Sequence, residues 1–283
     1  AVLSGGVFAL VALQRQASEI PPLAEEKNRG SQHELIGKSL EGRGIEAYTY
    51  GDGEEHLVFV GGIHGGYEWN SVLLAYQFME YLEENQSVVP DNLTVTVIPS
   101  ANPDGVYSVV GKEGRFTIMD VPTDTEVLRA GRFNARGVDL NRNFDCEWKP
   151  TSMWRSKQVS AGSAPFSEPE AMAIRNFILE NDPDAVIFWH SQANAVYASE
   201  CGAGILPETL DMMNAYSRAS GYPAAESFDQ YEITGAAEGW LASIGIPTLT
   251  VELQTHETIE WERNLAGIKA LLGYYSQKTG IGR

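Results

Sequence analysis

What this chain has little of already narrows its chemistry. Only two cysteines occur in 283 residues, Cys146 and Cys201, and neither stands in a CxxC pair. That argues against a thiolate zinc site. Cations are also scarce, with 20 Lys and Arg against 38 Asp and Glu, for a formal net charge of −18. Nucleic acid is a poor partner for such a chain, because phosphate binding needs clustered basic side chains. The balance favours cationic substrates only mildly, since most of those carboxylates read as solvated surface. Long apolar runs are missing too. The uncharged residues 1–13 fall short of the ~20 that span a bilayer. They read either as the end of a signal peptide or membrane anchor, which predicts an extracytoplasmic protein, or as a buried N-terminal helix. Residues 14–32, interrupted by Pro21-Pro22, read as a linker. Export would predict a Cys146–Cys201 disulfide, and retention inside the cell would predict buried thiols.

What remains is ordinary for a globular body, at 43% hydrophobic and 20% charged residues. Residues 57–63, 93–99, 185–189 and 247–253 are short, apolar and rich in β-branched side chains, as strands are. Between them, Val72, Leu73, Tyr76, Met79 and Leu82 recur at helical spacing over residues 70–84. Ser167-Glu-Pro-Glu170 predicts a capping box opening a helix that runs to about Leu179. Residues 206–220 and 261–275 are further helices. Strands alternating with helices predict one α/β domain over residues 35–283, preceded by the apolar segment and linker of residues 1–34. Its central twisted sheet is mixed, largely parallel, and covered by helices on both faces.

Polar groups gather where the apolar runs end. His64 and Glu68 follow the first strand, Asn102-Pro-Asp-Gly105 the second, His190 the third, and Glu252 closes the last. Ligands of open α/β sheets collect beyond the carboxyl ends of strands, so these residues predict one shared pocket. Two imidazoles and a carboxylate make the ligand set of an open catalytic zinc site, and a further carboxylate is left to act as base. A lone histidine among glycines would be a turn residue. The carboxylate four residues on and the second histidine point instead to a metal, with His64, Glu68 and His190 as ligands. His33, His56 and His256 lack such a setting and read as surface residues or supports behind the ligands.

These motifs, with Ile36-Gly-Lys-Ser-Leu-Glu-Gly-Arg43, Gly137-Val-Asp-Leu-Asn-Arg-Asn-Phe144, Tyr231 with Gly235 and Trp240, and Thr250-Val-Glu252, stand in the order found in the M14 zinc carboxypeptidases. The chain resembles that family, of the carboxypeptidase A type. The resemblance implies one Zn²⁺ per chain held by His64, Glu68 and His190, with Glu252 as general base on metal-activated water. Arg132 would stabilise the oxyanion, with Arg129 and Arg136 as the alternatives nearby. Asn141 and Arg142 would hold the terminal carboxylate of the substrate. Tyr231 would close over it. Asp139 and Asn143 read as scaffold, and Asp104 as a support for a ligand histidine. The family spaces its first histidine and glutamate by two residues, whereas this chain has three between them, Gly65-Gly66-Tyr67. Offsets of three and four return to the same helical face, so the pair can still converge. The arginine often found inside that motif is absent.

The register from Tyr231 to Trp240 puts Glu238 where members that cut before basic residues carry an acid. There it would pair with Lys, Arg or diaminopimelate; the duller reading points it to solvent. The expected substrate is thus a peptide or muropeptide with a free C-terminal carboxylate. Two alternatives are a cell-wall peptidase cutting at diaminopimelate and a catalytically inactive binding module on the same fold.

Overall fold

The computed structural model describes Ala1 and residues 31–278, so the apolar segment and most of the linker lie outside the described residues. The chain opens with β1 (Gln32–Lys38), β2 (Gly44–Gly51) and β3 (Glu55–Val60), followed by α1 (Trp69–Glu84) and β4 (Leu93–Ile98). Two short helices, α2 (Pro103–Val110) and α3 (Thr125–Ala130), precede the hairpin β5 (Thr151–Trp154) and β6 (Lys157–Ser160). Then come α4 (Pro169–Asn181), β7 (Ala185–Ser191), β8 (Ala195–Ala198) and α5 (Pro207–Ser220). The two-residue β9 (Ala224–Ala225), α6 (Ala237–Ser243), β10 (Thr248–Leu253) and α7 (Trp261–Ser276) complete the order.

Eight strands form one sheet in the order β1-β2-β4-β3-β7-β10-β8-β9, with β5 and β6 apart. Its centre, β4-β3-β7-β10, is parallel, while β2 joins β4 and β8 joins β10 antiparallel. This is the mixed, largely parallel sheet that the pattern predicts. Period-two alternation splits the central strands between two cores. Phe59, Trp189 and Val251 face α1, α5 and α7. Val58, Val60 and Phe188 face α4 and α6, against Ile174, Phe177 and Trp240. Covered on both faces, β7 is buried along its whole length. Among the described residues no helix is long and apolar enough to cross a membrane. Cys146 and Cys201 are joined as a disulfide, tying the loop after the Asn-Arg-Asn segment to the loop after β8.

The helix at Pro169 forms, but not through the predicted capping box. Pro169 takes the first helical position, where its missing N–H costs nothing, and this moves the cap to Glu168. The Ser167 hydroxyl bonds the Glu168 carboxylate instead. Glu170 reaches away to accept from the Leu40 amide at 2.9 Å and from Asn134.

Candidate active site

The parallel centre of the sheet delivers the site. β3, β7 and β10 run the same way, and their register sets Glu252 beside His190. After β3 the chain turns through Gly61 and Gly62 into a short 3-10 helix, Gly65–Glu68, with His64 at its cap. That turn is built from glycine because nothing larger fits. A Cβ on Gly65 would lie 2.5 Å from the Gly131 carbonyl oxygen, and one on Gly66 would lie 2.5 Å from Val109. Gly65 also sits at φ +48, in the left-handed region.

The four-residue offset converges. His64 Nδ1 lies 2.8 Å from Glu68 Oε1 and 3.2 Å from His190 Nδ1, and His190 Nδ1 lies 3.1 Å from Glu68 Oε2. Donors held 2.0–2.1 Å from a tetrahedral zinc sit about 3.3 Å apart, so the two imidazole nitrogens already stand at ligand spacing. Facing ring nitrogens repel through their lone pairs unless a proton or cation lies between them. All three residues are buried yet line the same cavity, which leaves a coordination position open toward it. Burial works to raise the Glu68 pKa, but His64 and His190 outweigh it and hold the carboxyl well below its usual range. Burial also works to lower the His190 pKa; Glu68 and Glu238 outweigh it and push that imidazole well above its ordinary value. The donor set, its spacing and its burial fit zinc.

A buried network stands behind the ligands. Arg132 Nε donates to Asp139 Oδ2 at 2.8 Å, and Arg132 Nη1 lies 3.7 Å from Glu68 Oε1. Asp139 Oδ1 and His64 Nε2 face each other at 3.5 Å, both buried and otherwise without a partner. A small ring rotation closes that gap. Asp139, read as scaffold from the sequence, therefore takes the place expected of Asp104. Asp104 instead accepts from Ser39 Oγ, the Glu41 amide and Arg43, and touches no ligand histidine. The reason is local: Asn102 caps α2 by accepting from the Gly105 amide, and the helix then carries Asp104 toward the N-terminal hairpin. Arg129 and Arg136 are exposed and paired to Glu126 and Glu168, so neither competes with Arg132.

The remaining candidates line the same cavity of about 320 Å³. Asn141 accepts from the Ala237 amide at 2.8 Å, and its Nδ2 stands 3.4 Å from Glu238 Oε1. Arg142 is 1% exposed, with its guanidinium held by the carbonyls of Asn141 and Met153. Gly235, at φ +70, packs the Tyr231–Trp240 segment onto this pair, since a Cβ there would strike the Arg142 carbonyl oxygen at 2.1 Å. Tyr231 is half-buried against an aromatic wall that includes Tyr67, Trp154 and Phe133. Glu238 is buried, not solvent-facing, and its Oε1 accepts from His190 Nε2 at 2.8 Å. Burial works to raise its pKa, but the His190 bond and charge hold it below the usual range. Glu252 accepts from the Ala193 amide at 3.0 Å. Burial, and then the nearby Glu68 charge, push its carboxyl up to about 7.

The aromatic wall escapes sequence reasoning, because Trp154 belongs to no motif, and Tyr67 and Phe133 stand beside motif residues with nothing local to show that they meet. His256 also proves closer to the site than its sequence setting indicates. Its Nδ1 bonds the Ser191 hydroxyl, which in turn donates to Asn70, and its ring packs on Tyr67.

The family model described as zinc carboxypeptidase matches residues 20–265. Carboxypeptidase B of Astacus astacus is 28% identical over 278 residues, covering 95% of this chain and 84% of that protein. Gamma-D-glutamyl-L-diamino acid endopeptidase 1 of Lysinibacillus sphaericus is 25% identical over 241 residues; the match covers 77% of this chain but 59% of the endopeptidase. The chain thus spans less than two thirds of that relative's length. Among solved structures, murein-tripeptide amidase from Escherichia coli O157 shares the fold, with a TM-score of 0.61 at 22% identity over 85% of this chain and 91% of that one. With most of its length matched by the family model, this chain belongs to the zinc carboxypeptidase family.

Proposed function

We propose that the chain is a zinc-dependent carboxypeptidase that releases a C-terminal residue bearing a second amine. The observation that carries this reading is the convergence of the His64–Glu68–His190 donors, Glu252 and the Asn141-Arg142 pair on one cavity. Zinc, when bound, polarises the scissile carbonyl and acidifies water. Glu252 then takes the proton and returns it to the leaving amine, for which a pKa raised toward neutrality suits it. Arg132 keeps its terminal nitrogens for the developing oxyanion, because Asp139 occupies Nε. The planar fork of Arg142 and the Asn141 amide hold the substrate carboxylate. Tyr231 covers the bound residue. Metal loading is checked by thermal unfolding: zinc at about a hundred times its Kd raises stability by about 2.7 kcal/mol, an increase that vanishes on adding a chelator.

Glu238 sets the side-chain preference in this reading. Exposed Glu200 and Glu226 line the same cavity and add to its negative field, while Glu232 there is paired with Lys149. Peptides ending in Lys are expected to outrun matched peptides ending in Phe. Glu238→Gln keeps an oxygen for His190 but removes the charge, so it lowers kcat/KM for Lys about ten- to hundredfold and leaves Phe nearly unchanged. A wild-type preference for Phe would overturn the assignment.

A cell-wall peptide is the second reading, favoured by the Lysinibacillus sphaericus relative, whose name specifies a diamino acid. A muropeptide carrying diaminopimelate, assayed beside simple Lys peptides, separates the two. The Cys146–Cys201 disulfide supports a place outside the cytoplasm. Recovery of the protein with the cytoplasmic fraction of its native cells would refute that placement.

A further inference from the structure

We infer that Arg155 binds a carboxylate on the substrate residue at the acyl side of the scissile bond, an assignment that rests on the peptidase reading above. Arg155 and Ser156 form the two-residue turn of the β5–β6 hairpin, whose flanking residues Trp154 and Lys157 pair. Arg155 adopts φ 55 there. Tight hairpin turns place Gly, Asn or Asp at left-handed positions, and an arginine spends stability on a conformation that its Cβ disfavours. Backbone strain of this kind collects at binding sites, where the surrounding structure enforces it.

Arg155 is itself exposed, but the residue before it is firmly held. Trp154 is buried, packs edge-on against Tyr67 at 5.1 Å and Phe133 at 6.0 Å, and lies 4.8 Å from the Arg132 guanidinium. The next residue therefore stands at the cavity wall. The arginines that line this cavity are Arg132, Arg142 and Arg155. Arg132, anchored through Nε by Asp139, and Arg142, anchored by main-chain carbonyls, serve the oxyanion and the terminal carboxylate in the reading above. Arg155 makes no hydrogen bond or ion pair among the described residues, in a chain of net charge −18. Despite that surplus of carboxylates, none among the described residues pairs with this cleft cation.

Its position fixes which part of the substrate it meets. Glu238, Asn141 and Arg142 mark the end that takes the released residue. Arg155 lies at the other end, following Trp154, whose ring packs on Tyr67 at 5.1 Å; Tyr67 in turn packs at 4.6 Å on His256, the ring that bonds Ser191 just past His190. The cleft is thus polarised, with acid around the released residue and a cation on the acyl side. A substrate with a carboxylate before the scissile bond and an amine after it matches both ends.

The test compares two peptides ending in Lys that differ in the residue before it, γ-linked glutamate against its neutral γ-linked isoglutamine counterpart. Wild-type kcat/KM should favour the acidic peptide about tenfold, the preference shrinking as salt is raised. Arg155→Gly, which suits the left-handed turn and so preserves the hairpin, should lose that preference while cleaving the neutral peptide at the wild-type rate. Arg155→Lys should retain part of it. Equal effects of Arg155→Gly on both peptides, or none on either, would overturn the assignment and leave the peptidase reading intact. A wild type that cleaves neither peptide nor any other C-terminal Lys substrate would overturn both.

Discussion

Replacing Glu252 by Gln is expected to leave a folded, zinc-binding protein that hydrolyses peptides about 10³-fold more slowly, within the range that general bases contribute. Glutamine keeps the shape and the acceptor oxygen for the Ala193 amide, so the end of β10 and its register with His190 are preserved. It cannot accept a proton at any pH of interest. Zinc content should stay at one per chain, because Glu252 is not among the three converging donors. Steady-state kcat/KM with zinc quantified on the same samples is the measurement. Unchanged turnover would refute the base. A wild type that holds zinc and binds peptide, yet turns nothing over, would instead favour the inactive binding module.

The same carboxyl predicts the pH profile. Burial raises it, and so does the Glu68 charge, to about 7 in the metal-free chain. A dication bound nearby favours the carboxylate and moves that value down. The base works deprotonated, so activity is lost as pH falls through its pKa. The acid limb of kcat/KM should therefore lie below pH 7 and be absent from the residual activity of Glu252→Gln. A limb unchanged in the variant would assign that titration to another group.

Much of this site is legible in the sequence because it sits where strand periodicity stops. His190 ends an apolar run and Glu252 ends another, so their placement follows from the parallel sheet alone. Glu68 is readable for a different reason: it lies within about one turn of His64, although a 3-10 turn aligns residues three apart, and His64 meets it from the non-helical cap position. Contacts made across long sequence separation are not legible in this way. Asp104 and Asp139 are both acids beside motif residues, and only the three-dimensional path of α2 decides which one meets His64. Glu238 is recoverable by its spacing from Tyr231, but its bond to His190 is not, since 48 residues separate them. The failed capping box at Ser167 has the opposite origin, a local rule overridden by a stronger local one, the proline at the first helical position.

Asp139 carries the second large expectation, because its two oxygens serve two different partners. One holds Arg132 at 2.8 Å and the other faces His64 Nε2, and the carboxylate has no solvent exposure. Burial works to raise its pKa, but Arg132 and Arg142 outweigh it and keep it ionised across the working range. Asp139→Ala leaves a buried guanidinium without its anion, which costs about 3–5 kcal/mol. Asp139→Asn separates that stability role from the metal. Arg132 can only donate, so the amide must turn its oxygen to Arg132 and its NH₂ toward His64. His64 Nε2 then has to accept, which puts the ring proton on Nδ1, the nitrogen that faces Glu68 and His190. Zinc affinity should fall by about 10–100-fold or more, with a smaller loss of metal-free stability than in Asp139→Ala. Chelator competition gives the affinity, and thermal unfolding with and without zinc gives the stability. Were Asp139 scaffold alone, both variants would lose the same stability with and without zinc, and their zinc affinity would match the wild type.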